Sequence, residues 1–343
     1  MKKLFIPLIA LLLITACSKK EDFSGATGDG GIEQIELGLV YRPASLRDQM
    51  VDFSLFDEEG NDITEDAVFY VNDELLESNE FSSGEEGSFE VYAEYELNGS
   101  TITTDVEIFD VISPVRKAAI EDYTGTWCGY CPRITAAIDV VHELTDDVVV
   151  IAIHNGDDMA LPFEGLIREE FEVDGFPSGR INRTIRWSMP HAPEDVTAIA
   201  GTQSPLGIGI RSQLNGADLA VEVSLASETA LNNMKLVVYL LEDGILRDQT
   251  NYFNNDPSSP YYQKGNPIVD YEHNDVLRAS LTDIFGDAIP PLNPLEEFKA
   301  EFTTSLPAEF VKENMHIAVM VVDQDNTALN AQIARLDEVK AYE

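Results

Sequence analysis

Two of the three cysteines in this 343-residue chain stand three apart, in Thr124-Gly125-Thr126-Trp127-Cys128-Gly129-Tyr130-Cys131-Pro132. On a helix that spacing puts both sulfurs on one face within disulfide reach, so the pair can form a reversible bond. An apolar strand pattern over 117–123 runs into the motif. A helical pattern leaves it, with Ile134, Ile138 and Val141 joined by Ala137 and Leu144. Cys128 is therefore expected at a helix N-terminus, where unpaired N–H groups and the positive end of the helix dipole favour thiolate, with pKa values of roughly 3.5 to 7.5 for such cysteines. Cys128 would attack and Cys131 would resolve. A zinc site is the alternative for a cysteine pair, but structural zinc takes four protein ligands and the only further thiol is Cys17. His142 and His154 read as surface or packed histidines, so no metal and no cofactor is expected.

Context narrows the reading of the motif. Phe171-Glu172-Val173-Asp174-Gly175-Phe176-Pro177-Ser178 resembles the thioredoxin segment that leads into the cis-proline facing the active-site disulfide, and Trp127 stands where thioredoxins keep a tryptophan. The resemblance implies a thioredoxin-like domain over 113–203, a cis Phe176-Pro177 bond beside the sulfurs, and a buried carboxylate that moves protons for the second cysteine. Asp122, six residues before Cys128, occupies that place. Strand alternation turns only one of Glu121 and Asp122 inward, and Asp122 is taken as the base. Gly129-Tyr130 differs from the Gly-Pro of reducing thioredoxins and is similar to the dipeptide of some periplasmic disulfide isomerases, so the direction of electron flow stays open.

Charge and the N-terminus bound the setting. With 22 Lys plus Arg against 62 Asp plus Glu, the formal charge is -40, which excludes nucleic acid as a partner because phosphate backbones are held by clustered cations. Lys2 and Lys3 precede an apolar run, Leu4 to Ile14, that is too short for a membrane span of about 20 residues. Ile14-Thr15-Ala16-Cys17 resembles the bacterial lipobox. That resemblance implies a signal peptide over 1–16 and a mature chain anchored in outer-membrane lipid through acylated Cys17, since several acyl chains on one residue hold a protein stably. Residues 17–31, rich in glycine, read as a flexible tether. Within it, Lys20-Glu21-Asp22 resembles the surface-export signal of Bacteroidetes lipoproteins.

Flanking segments read as strands. Residues 32–112 alternate apolar and polar around Asn98-Gly99, a pair suited to a type I′ hairpin, and fit an immunoglobulin-like β-sandwich serving as a spacer. Residues 204–343 alternate again, with continuous apolar runs over 234–241 and 315–322 that suit central strands of a second sandwich. The loop 248–267 carries Tyr252, Phe253, Tyr261 and Tyr262. The expected fold class is thus multidomain, α/β plus all-β: a thioredoxin-like domain between an N-terminal immunoglobulin-like sandwich and a C-terminal β-sandwich.

The lipobox, Glu121 to Cys128, Gly175-Phe176-Pro177-Ser178-Gly179 and Tyr271-Glu272-His273-Asn274-Asp275-Val276-Leu277-Arg278 together resemble the thioredoxin-like outer-membrane lipoproteins of Bacteroidetes, the family named after a twenty-eight-kilodalton outer-membrane protein. The resemblance implies an outer-membrane thiol-disulfide oxidoreductase whose partners are the thiols or disulfides of exported proteins. The alternative is a surface binding protein or adhesin with an idle cysteine pair.

Overall fold

A computed structural model describes residues 37–343. The expected signal peptide over 1–16, Cys17 and the expected tether lie outside the described residues. The N-terminal strands form a six-stranded sheet in the order Ala44–Leu46, Glu107–Ile112, Gly87–Leu97, Ala67–Val71 and Glu74–Leu75, with Ser100–Thr103 paired to Gly87–Leu97. Val51, Phe53, Leu55, Phe69, Val91 and Phe109 close its core. Asn98 and Gly99, at φ 52 and 81, make the turn of the expected hairpin. Leu46 and Ala44 pack against Ala226 and Tyr342, which fixes this module to the C-terminal strands.

The elements that carry the cysteine motif are β1 (Ala118–Thr124), α1 (Pro132–Leu144), β2 (Val148–His154), α2 (Glu164–Glu170), β3 (Ser178–Ile181), β4 (Ile185–Trp187) and α3 (Pro193–Thr197). After them come β5 (Leu206–Asn215), β6 (Asp218–Ser227), β7 (Lys235–Glu242), β8 (Ile245–Gln249), β9 (Ile268–His273), β10 (Val276–Ser280), β11 (Glu297–Ser305), β12 (Met315–Val322), β13 (Ala328–Arg335) and β14 (Val339–Lys340). One nine-stranded sheet runs β4-β3-β1-β2-β10-β7-β12-β13, with the short strand Asp287–Ala288 paired to β7 as its ninth, and a four-stranded sheet, β11-β6-β5-β14, covers part of one face.

Side-chain alternation explains the layering, because successive residues of a strand point to opposite faces. On one face Ala119, Tyr123, Val149, Ile151, Val237, Tyr239 and Ala318 build a continuous core with Ile167 of α2 and with Phe171. On the other face the cover changes along the sheet. Ala118, Ile120, Val148 and Val150 pack against Ile134, Ile138 and Val141 of α1, whereas Leu236, Val238, Ile317 and Val319 pack against Ile208, Val221 and Val223 of the four-stranded sheet. The apolar runs of β7 and β12 are continuous because both of their faces are buried.

This arrangement overturns the expected fold class. Strand accounts for 46% and helix for only 10%, so the protein is all-β rather than α/β with flanking sandwiches. The strands around the motif do not form a sheet of their own. Ala152 of β2 pairs with Val276 of β10, and β10 continues into β7, so the sheet crosses residue 203 without a break. Pairing between positions 152 and 276 has no local signature, so periodicity alone does not reveal it.

Candidate functional site

Cys128 and Cys131 are joined in a disulfide. The helix starts later than the sequence implied: α1 begins at Pro132, and Cys131, not Cys128, takes the N-cap position. The first-turn N–H groups are also occupied, Arg133 donating to the Tyr130 carbonyl (3.3 Å) and Ile134 to that of Cys131 (2.9 Å). Any help to a Cys128 thiolate therefore comes from the dipole, which falls off within a turn. Leu144, expected on the apolar face of α1, is exposed.

The proline loop and Trp127 meet at the motif. The Phe176–Pro177 bond is cis, and the Phe176 ring lies edge-on to Trp127 at 5.4 Å between centroids. Trp127 donates its indole N–H to the Asn155 carbonyl at 2.6 Å. Asn155 directly follows β2, so this bond ties the motif to the end of that strand.

Both sulfur-bearing residues are buried, Cys128 to 4% exposure and Cys131 to 1%, because a segment from the far end of the chain covers them. Thr250 donates its backbone N–H to the Thr126 carbonyl (2.8 Å) and Tyr252 to that of Gly129 (2.9 Å). The Gln249 side-chain amide donates to the Cys128 carbonyl at 2.9 Å. Tyr130 stands edge-on to Tyr252 and Phe253, at 5.0 and 5.8 Å. Position 129 must be glycine for this contact, since a Cβ there would lie 2.5 Å from the Tyr252 ring. The loop's aromatic residues were visible in the sequence; its target was not.

Behind the disulfide, under α1, lies a polar cavity of about 360 Å³. Its floor is the alternate residues of two neighbouring strands, Asp122 and Thr124 of β1 with Ala152 and His154 of β2. Pro132, next to Cys131, and Asp139 line it from the helix, and His273 and Asp275 from β9 and the turn after it. Alternation thus puts Asp122 on the side of α1. Glu121 points to the opposite core, where it pairs with fully buried Arg183 at 3.0 Å and accepts from the Tyr123 hydroxyl at 2.7 Å.

The electrostatics follow from burial. Desolvation, helped by the neighbouring Asp275, pushes the Asp122 carboxyl up to about 8, and desolvation with Asp243 nearby pushes Asp275 up to about 7. Burial pushes His273 down to about 4, with His154 adding to the shift, so it stays neutral. His154 bonds through Nδ1 to Asp157 at 2.8 Å, and Asp157 also accepts from the Thr126 N–H (2.9 Å). Asp122 Oδ1, His154 Nε2 and His273 Nε2 have no protein hydrogen-bond partner. Among the described residues no group of three or more His, Cys, Asp or Glu is placed to hold a metal ion.

Fold and site together define a strand-rich protein carrying one covered disulfide above an acid-lined cavity. The chain belongs to the family of outer membrane protein Omp28, whose model matches residues 166–340, just over half of it. Outer-membrane localisation follows. The match includes the proline loop and the Tyr271–Arg278 segment and leaves the cysteine motif outside. No curated protein matches the chain significantly. Two crystal structures of a β-glucosidase from Kluyveromyces marxianus, one in complex with glucose and one selenomethionine-labelled, are similar at 10% and 11% identity, each with a TM-score of 0.19. They cover 86% and 89% of this chain, which spans only 45% and 44% of theirs. At that similarity nothing about fold or activity transfers.

Proposed function

We propose that the protein exchanges disulfides with exported polypeptides at the outer membrane through Cys128 and Cys131. One observation carries this reading: the disulfide-bonded Cys131 adjoins Pro132, which lines the same cavity as the buried, unpartnered carboxyl of Asp122. In one direction a partner thiolate attacks Cys128 Sγ, the Cys128–Cys131 bond breaks, and the electron pair left on Cys131 Sγ takes a proton from Asp122. The partner's second sulfur then attacks the Cys128–partner bond, its proton passes to the leaving Cys128 thiolate, and Asp122 recovers from solvent the proton that the partner's first thiol had released there; the net transfer is two electrons and two protons from partner dithiol to protein disulfide. In the other direction Asp122 as carboxylate removes the Cys131 proton before that sulfur resolves the mixed disulfide.

Trp127, Tyr130 and Tyr252, all substantially exposed, give a partner polypeptide an aromatic surface around the sulfurs, and the proline loop at Pro177 borders it. Acylated Cys17 would hold the chain to the membrane, with residues 32–112 as the spacer. The binding-protein reading keeps one supporting fact, the burial of both cysteines. The test separates the two. In Cys131→Ser, covalent adducts with exported proteins should accumulate at Cys128 and vanish on reduction, and Cys128→Ser should form none. Absence of adducts from both variants, with no turnover of a disulfide substrate by wild type, refutes exchange.

A further inference from the structure

We propose that Asp275 is a positioning partner of Asp122: across the cavity behind the disulfide the two carboxyls share protons, and Asp275 sets whether Asp122 has one to give Cys131. The inference rests on the redox reading above and adds to it a residue nearly 150 positions from the cysteine motif.

The strand register brings the two acids together. Ala152 of β2 pairs with Asp122 on one side and with Val276 on the other, and its N–H donates to the Asp275 carbonyl at 2.8 Å. One residue of strand therefore separates the acids. That residue is alanine, whose methyl leaves open the cavity that both carboxyls line. Asp275 is held there by its own N–H, which donates to Asp243 Oδ1 at 2.8 Å. Its φ of 57 is a conformation that Asp and Asn tolerate and most residues do not. Asp122 Oδ1 is unpartnered at 4% exposure, whereas Asp275 is partly exposed.

The surroundings make the pair acidic and nearly isolated from cations. From the end of β7, Asp243 raises the proton affinity of Asp275; from α1, Asp139 raises it further; from β12, His316 lowers it. His316 is already engaged with Asp243 at 2.9 Å. His142 of α1, His154 of β2, and Tyr271, Glu272 and His273 of β9 complete the titratable lining. His273 is held neutral by burial and gives Asp122 no counter-charge. Two carboxyls in one desolvated site do not both ionise readily, so they titrate as a coupled pair. When Cys131 leaves as thiolate and takes the Asp122 proton, the negative charge moves onto Asp122, and a proton on Asp275 is what keeps two adjacent carboxylates from forming.

The test compares wild type, Asp275→Asn, which suits the φ of 57, and Asp275→Glu, which restores a carboxyl. Carbon-13 NMR of labelled aspartate carboxyls, assigned with Asp122→Asn, should show the Asp122 midpoint falling by about one pH unit in Asp275→Asn. At pH 8 its protonated fraction then drops from about a half to about a tenth. Reduction of the Cys128–Cys131 disulfide by dithiothreitol should slow roughly fivefold at pH 8 and be unchanged at pH 6, with Asp275→Glu restoring the wild-type profile. Superimposable Asp122 titrations in wild type and Asp275→Asn overturn the proposal. A fall in the midpoint with exchange rates that neither Asp122→Asn nor Asp275→Asn alters leaves the carboxyl pair standing and sinks the redox reading instead.

Discussion

Replacing Asp122 with asparagine should stabilise the oxidised protein, by an amount that grows with pH. The carboxyl is fully buried and its pKa rises from 3.8 to about 8, so between those values the folded chain keeps a proton that the unfolded chain has lost. Stability from this group is therefore complete below about pH 4 and drains away as pH rises toward 8. At about 1.4 kcal/mol per pH unit the full interval sets a ceiling of ~6 kcal/mol. Relaxation around a buried charge commonly leaves several kcal/mol, so ~2–4 kcal/mol is the expected gain at pH 8.5. Asparagine has the same shape and no charge to desolvate. Urea unfolding of wild type and Asp122→Asn at pH 4.5, 6, 7 and 8.5 reads the difference, to which any shift of the coupled Asp275 carboxyl also contributes. A gain that is near zero at pH 4.5 and levels off above pH 8 fits the burial argument. An equal difference at all four pH values, or a variant less stable at pH 8.5, refutes it.

The covering segment should yield to small changes. Gln249→Ala removes the amide that bonds the Cys128 carbonyl, a loss of about 1–2 kcal/mol, and dithiothreitol should then reduce the disulfide roughly tenfold faster at pH 7. Gly129→Ala drives a methyl into the Tyr252 ring and should also speed reduction, with a melting temperature close to wild type because half-exposed Tyr252 can swing away; unchanged rates in both would mean that this segment does not limit access. Arg183→Met should cost about 3–5 kcal/mol in urea unfolding, since it leaves the Glu121 carboxylate buried without its cation. Cys17→Ser should abolish palmitate incorporation and release the protein from the membrane fraction, and equal label in wild type and variant would end the lipid-anchor reading.

Only local features were legible before the chain was folded. Alternation marked the strands on both sides of the Asn98-Gly99 turn, the spacing of Ile134, Ile138 and Val141 marked the buried face of α1, and the two cysteines marked where a disulfide forms. Each depends on residues a few positions apart. The Tyr271–Arg278 segment was legible as a family feature, but nothing nearby told that it borders the same cavity as Asp122. Tertiary structure alone decided three things: that β2 pairs with β10, so the motif sits in an all-β sheet; that Gln249, Thr250 and Tyr252 bond the motif's carbonyls; and that Asp275 stands one strand residue from Asp122. The physical reason is shared by all three. Backbone hydrogen bonding carries no side-chain code, so which strand completes an open edge depends on what the whole chain can bury against it, and that balance is struck between residues more than a hundred positions apart.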